Sequence, residues 1–233
     1  VYPEGPKRSG LEQVQLSNLQ SGPFISSRKL RIHSASGKDV PIQNEPLNFD
    51  PEDEKFPQVQ VYYTLQKANS WFEQNLGWTW AGILEVQTQM GYPENINSAF
   101  YYRNRIRLGQ GDGVRFKNIP LDPSIVIHES VHAVVDRLTG LPFQGEGGSI
   151  NEAGCEAAAC MWFSQGCCIG CEACVDTFNN LSPNPFSSAC GIENPPDTLP
   201  AEARTIQAVE VPGGSLDFTK HHPWRSPGRA PVL

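Results

Sequence analysis

The most regular stretch of the chain follows Pro57. Val61, Leu65, Ala68, Phe72 and Leu76 recur at spacings of 4, 3, 4 and 4, which puts them on one stripe of an α-helix. Pro57 suits the first turn of that helix and Gly77 its end. Residues 82–89 alternate loosely between apolar and polar, as a strand does. Residues 99–108 are predicted as one longer strand, with Tyr102, Ile106 and Leu108 on a common face. The glycines of GQGDG, residues 109–113, then turn the chain into a short strand, VRF. No strand–helix–strand unit surrounds these glycines, so a hairpin is expected there and not a phosphate loop.

A second helix is predicted from Pro123. Asp122 can accept from its free N–H groups, Pro123 fits its first position and Gly140 ends it. A glycine-rich loop, residues 141–148, leads to an Ala-rich segment beginning at Ser149, which reads as a third helix ending near Gly166. The first 55 residues are polar, hold six prolines and show little periodicity beyond a short candidate strand at Leu30–His33. Residues 1–46 are therefore expected to be a leader, linker or prosegment remnant. After Gly166 the character changes again, and residues 183–233 alone hold nine prolines. A tail of irregular structure held by cross-links is expected over 166–233.

Length allows one ordinary domain over the middle of the chain, with a substantial core. The net charge of −7 and the lack of a basic stripe argue against a nucleic-acid partner. No apolar run approaches the length of a membrane span. All seven cysteines lie between residues 155 and 190. That density points to an oxidising compartment, and an extracellular location is expected. The chain begins at Val1 rather than Met and reads as a mature or trimmed piece. Cys168, Cys171 and Cys174 form C-x₂-C-x₂-C, with Cys167 beside them. Four such thiols could bind a second metal, but disulfides of a small extracellular module are the preferred reading.

The second predicted helix carries the chemistry. His128 and His132 are four residues apart, so they share a face and can aim two imidazole nitrogens at one point. Zinc accepts such ligands. Glu129 is offset by one residue and cannot easily be a third ligand, but it can flank the open side of the metal as a general base. Zinc lowers the pKa of a bound water to about 7, which makes proton removal feasible at neutral pH. Val131, Val134, Val135 and Leu138 surround the pair, and unpaired histidines in an apolar surround are costly. A third ligand must come from elsewhere, and Glu152 is the candidate. A local alternative competes: Ser149-Ile150-Asn151-Glu152 also fits a capping box, in which Glu152 bonds back to its own helix start. Spacing alone leaves the two readings open.

HESVHAVVDRLTGLPFQGEGGSINEAGCE, residues 128–156, resembles the active-site segment of thermolysin-like metallopeptidases, the gluzincins. NFDPEDEKFPQVQVYYTLQKANSWF, residues 48–72, is similar to their first long helix, and NSAFYYRNRIRLGQGDG, residues 97–113, to the edge strand and hairpin above their cleft. The resemblance covers about residues 47–163. It implies an α+β fold: a compact gluzincin-like catalytic subdomain over 47–165, made of a backing helix, a small twisted sheet with an edge strand, the HExxH helix and a glutamate helix. It implies zinc held by His128, His132 and Glu152, with Glu129 as general base. Asn151 matches the asparagine before the ligand glutamate. Ala99 and Phe100 are implied to pair with an extended peptide or protein substrate, by strand addition.

The departures from the family pattern are as specific as the matches. Phe143 stands where the family has a tyrosine that stabilises the oxyanion, so that donor is lost. Glu156 stands where an aspartate orients a ligand histidine and is one methylene longer. Ser98 replaces a substrate-contacting asparagine. Nothing after Gly166 resembles the family's helical second domain with its catalytic histidine, and the surroundings of His221 and His222 do not match that histidine's motif. The leading expectation is a zinc metallopeptidase. Its rivals are a zinc-binding pseudopeptidase and a cysteine-rich binding module fused to a peptidase-like core.

Overall fold

A computed structural model describes residues 1–43 and 46–162. The tail expected over 166–233, including Cys167, Cys168, Cys171 and Cys174, lies outside the described residues. Five strands and three helices carry the fold: β1 (Ile25–Ser26), β2 (Leu30–Ser34), α1 (Phe56–Leu76), β3 (Leu84–Thr88), β4 (Ala99–Tyr101), β5 (Arg105–Leu108), α2 (Pro123–Leu138) and α3 (Gly145–Trp162). One sheet contains all five strands in the order β1-β2-β3-β5-β4. β2, β3 and β5 run parallel, and the outer strands β1 and β4 run antiparallel to their neighbours. The class is α+β, as expected, with a mixed sheet.

Register explains the core. Ile32, Val86, Ile106 and Tyr101 lie side by side across four strands. β2 and β3 bury every second residue, because alternate side chains point to opposite faces. α1 packs against β2, and α2 packs against both α1 and β4. Phe72 of α1 packs edge-on against Trp80, which follows the helix, with ring centroids 6.2 Å apart. α1 stops at Gly77, whose φ of 61° is the left-handed conformation that ends a helix at low cost in glycine.

Residues 1–43, part of the stretch expected to be a leader, linker or prosegment remnant, pack on the core. They supply β1 and β2, and Val1, Ile25, Ile32, Val40 and Ile42 are buried in the core cluster. Their apolar residues are scattered because short strands and extended segments lay single side chains on the core. That spacing carries no helical or long-strand period for a sequence reading to find.

The strand predicted over 99–108 is two strands joined by a tight turn. Tyr102 and Arg105 exchange backbone hydrogen bonds, at 2.8 and 3.1 Å. Arg103 and Asn104 between them both have positive φ, of 48° and 63°. Two such residues make the turn whose twist matches a hairpin. The short strand expected at residues 114–116 is absent. That segment wraps around Asp112, whose Oδ1 accepts from the backbone N–H of Val114 and Arg115.

Candidate metal centre

The helix α2 begins as its sequence indicates. The Asp122 carboxylate accepts from the Ser124 N–H at 2.9 Å, and Pro123 occupies the first turn. The helix is buried along most of its length, from Pro123 to Val134. His128 and His132 sit one turn apart with ring centroids 4.9 Å from each other.

α3 begins a turn earlier than expected, at Gly145, and this places Glu152. A side chain at Gly147 would meet Pro142 Cγ at 2.6 Å, and one at Gly148 would meet the Phe143 carbonyl carbon at 2.8 Å. The loop therefore folds back onto the first turn of the helix, and only glycine permits that approach. Ser149 lies inside the helix with its hydroxyl on the Gly145 carbonyl, at 3.3 Å, and does not cap it. The capping-box reading is thus displaced: Glu152 Oε2 lies 3.2 Å from His128 Nε2 and 3.4 Å from His132 Nε2.

One ligand atom from each of His128, His132 and Glu152 lies within 4.8 Å of the others, and all three residues are buried. Two imidazole nitrogens and one carboxylate oxygen form a donor set that zinc takes in sites with an open fourth position. The other ring nitrogen of His132 is already engaged. Its Nδ1 faces Asn151 Oδ1 at 3.0 Å and Cys155 Sγ at 3.1 Å. Its Nε2 is buried without a hydrogen-bond partner among the described residues. An amide oxygen can only accept, so Nδ1 carries a proton, and a metal at Nε2 would take the remaining lone pair. The residues present therefore fit a zinc ion.

Charge within the cluster follows from burial and proximity. Burial raises the Glu152 carboxyl, but His132 and His128 beside it outweigh that and hold it well below the usual carboxylate range. Burial lowers His132, and Cys155 and Glu152 facing it raise it, for a net rise well above the ordinary value. Glu129 is fully buried, and burial pushes its carboxyl up against the two histidines that lower it. Neither Glu129 oxygen has a well-formed hydrogen bond among the described residues.

The remaining expected residues divide. Asn151 sits at His132, as described. Glu156 is half-buried on α3, while Asn151 and Cys155 face His132 Nδ1. Ala99 and Phe100 lie on β4, the last strand of the sheet, and both are buried. Phe143 packs its ring against His132, centroid to centroid at 5.7 Å. Two residues of the site were not anticipated. Cys155 lies four residues after Asn151 and three after Glu152, a helical spacing that shares their face. Tyr101 reaches the far end of α2 by its hydroxyl.

No family model matches the chain. A zinc metalloproteinase of Listeria monocytogenes is 32% identical over 91 residues, 39% of this chain and 18% of that protein. A bacillolysin of Brevibacillus brevis is 34% identical over 68 residues, covering 29% of this chain and 13% of its own length. A thermolysin of Alicyclobacillus acidocaldarius is 37% identical over 68 residues, covering 29% and 12%. The chain thus spans less than a fifth of the length of these curated relatives. Among solved structures, the precursor of protealysin, a metalloproteinase from Serratia proteamaculans, aligns with a TM-score of 0.47 and 20% identity, over 62% of this chain and 45% of that one. By its sequence likeness to the curated metalloproteinases, and with His128, His132 and Glu152 clustered, this chain has a core similar to that of thermolysin.

Proposed function

We propose that this chain is a zinc-dependent endopeptidase that hydrolyses peptide bonds of peptides or proteins. His128, His132 and Glu152 hold the ion, and a bound zinc supplies Lewis acidity, lowering the pKa of a water to about 7 and polarising a carbonyl. Glu129 is the general base. It takes the proton from the attacking water and passes it to the leaving amine. The observation that carries this reading is the Glu129 carboxylate itself: fully buried, unpaired by any well-formed hydrogen bond among the described residues, and next to a three-donor cluster. Such a group is costly to keep unless it has work to do. Ala99 and Phe100 on β4 are proposed to align an extended substrate by strand addition.

A second reading is favoured by Phe143. Its ring lies against His132 and offers no hydroxyl to a developing oxyanion, so the chain could bind zinc without effective turnover. One experiment separates the two. Cleavage of a mixed quenched-peptide library is measured with and without zinc, for the wild type and for Glu129→Gln. Zinc-dependent cleavage that disappears in the variant supports the peptidase. Confirmed zinc binding with no cleavage by the wild type overturns it in favour of the inactive zinc binder.

A further inference from the structure

We propose that Cys155 is a positioning residue for His132: its thiol fixes the direction of the Asn151 amide and, through it, aims His132 Nε2 at the metal. The inference rests on the zinc-site reading above. Three atoms form a closed triangle. His132 Nδ1 is 3.0 Å from Asn151 Oδ1 and 3.1 Å from Cys155 Sγ, and Sγ is 3.6 Å from Asn151 Oδ1.

The donor inventory allows one consistent arrangement with Nε2 free for a metal. Nδ1 then carries the hydrogen, so the thiol cannot also donate to it. The S–H is directed to Asn151 Oδ1, and the sulfur lone pair faces the Nδ1–H as a weak second acceptor. Turning the Asn151 amide over would set its NH₂ against the imidazole N–H, donor against donor, and would leave the thiol S–H without its acceptor. Nothing on the other side of the amide prevents that turn, because Asn151 Nδ2 is buried without a hydrogen-bond partner among the described residues. The orientation is therefore decided on the oxygen side, where the thiol is the second donor. Partners of this kind on the far nitrogen of a ligand histidine fix its tautomer and ring angle.

Cys155 is also a fully buried member of the core cluster, so a packing role must be separated from a positioning role. The test measures zinc affinity of the full chain by competition with a chromophoric chelator, for the wild type, Cys155→Ser and Cys155→Ala. Serine keeps a donor of similar size and alanine removes it. Zinc binding by Cys155→Ala is expected to weaken on the order of 10-fold or more, while Cys155→Ser binds nearly as the wild type does. Wild-type affinity in Cys155→Ala, or equal weakening in both variants, overturns the proposal. Should Cys155→Ala fail to fold, the imidazole nitrogen NMR spectrum of the zinc-loaded wild type decides. His132 coordinated through Nε2 with a proton on Nδ1 supports the proposal, and coordination through Nδ1 overturns it. A cobalt-loaded wild type with a thiolate charge-transfer band that Cys155→Ser lacks also overturns it, since Cys155 would then be a ligand. A wild type that binds no zinc removes the zinc-site reading and this one together. A wild type that binds zinc but cleaves no peptide removes only the peptidase.

Discussion

The Tyr101 hydroxyl donates to Asp136 Oδ2 at 2.8 Å and accepts from the Asn104 backbone N–H at 3.0 Å. This pair ties the last strand of the sheet to the helix of the metal centre. Tyr101 adjoins Phe100 on β4, and Asp136 lies one turn beyond His132 on α2. The distance between the strand proposed to align substrate and the helix proposed to act on it is therefore set by a side-chain bond as well as by packing.

Removing that bond tests its weight. Tyr101→Phe keeps the ring in the core and is expected to lower unfolding free energy by about 1.5–3 kcal/mol, as for a hydrogen bond to a charged partner. The loss should also change with pH. Burial, then the Asp136 carboxylate, raise the Tyr101 pKa far above its ordinary value of 10.0. A folded-state pKa raised above the unfolded one gives a stabilisation that is complete below about pH 10 and is lost as pH climbs past it. Thermal melts between neutral and alkaline pH should show the wild type falling more steeply above that point than Tyr101→Phe. Parallel curves would show that the hydroxyl does not carry the effect.

Phe143 can be reversed. Phe143→Tyr restores a hydroxyl next to His132, where the ring already packs. If the missing donor limits the proposed reaction, kcat/KM should rise on the order of 10- to 100-fold. An unchanged kcat/KM in a variant that still binds zinc would show that a tyrosine hydroxyl at this position does not reach the reacting oxygen.

Zinc should stabilise the chain by mass action. At a free concentration 100 times its Kd it is expected to add about 2.7 kcal/mol to unfolding free energy. Chelation should reverse the gain. Glu152→Gln, which removes the carboxylate between the two histidines, should lose most of the zinc-dependent shift. A shift of full size in that variant would place the ion elsewhere.

Side chains from the first 43 residues belong to the core, and Ile32→Ala measures how firmly. Ile32 is fully buried between β1 and β3, opposite Ile25 and Val86. Its truncation is expected to cost about 2–5 kcal/mol. A chain beginning at residue 47 should lose cooperative unfolding altogether. If that shortened chain instead melted cooperatively and cleaved faster, residues 1–46 would be a mask on the cleft.

The sequence by itself determined the local elements whose cause is local. The 3–4 spacing from Val61 to Phe72 produces α1, because one apolar stripe needs one buried face, and Gly77 ends it just past Leu76, which is exposed. Asp122 and Pro123 start α2 by satisfying or lacking the free N–H groups of its first turn. The i, i+4 spacing of His128 and His132 puts both rings on one face wherever that helix lies. Tertiary structure decided what depends on contacts distant in sequence. Whether Glu152 caps its helix or joins the histidines turned on α3 starting at Gly145, where Pro142 and Phe143 crowd Gly147 and Gly148. The membership of β2 in the sheet was settled by its pairing with β3, Leu30 opposite Leu84. The partner of His132 Nδ1, a cysteine on another helix, was fixed by the packing of α2 against α3. Periodicity records which way a side chain faces within its own element, and only the packing of elements determines what it meets there.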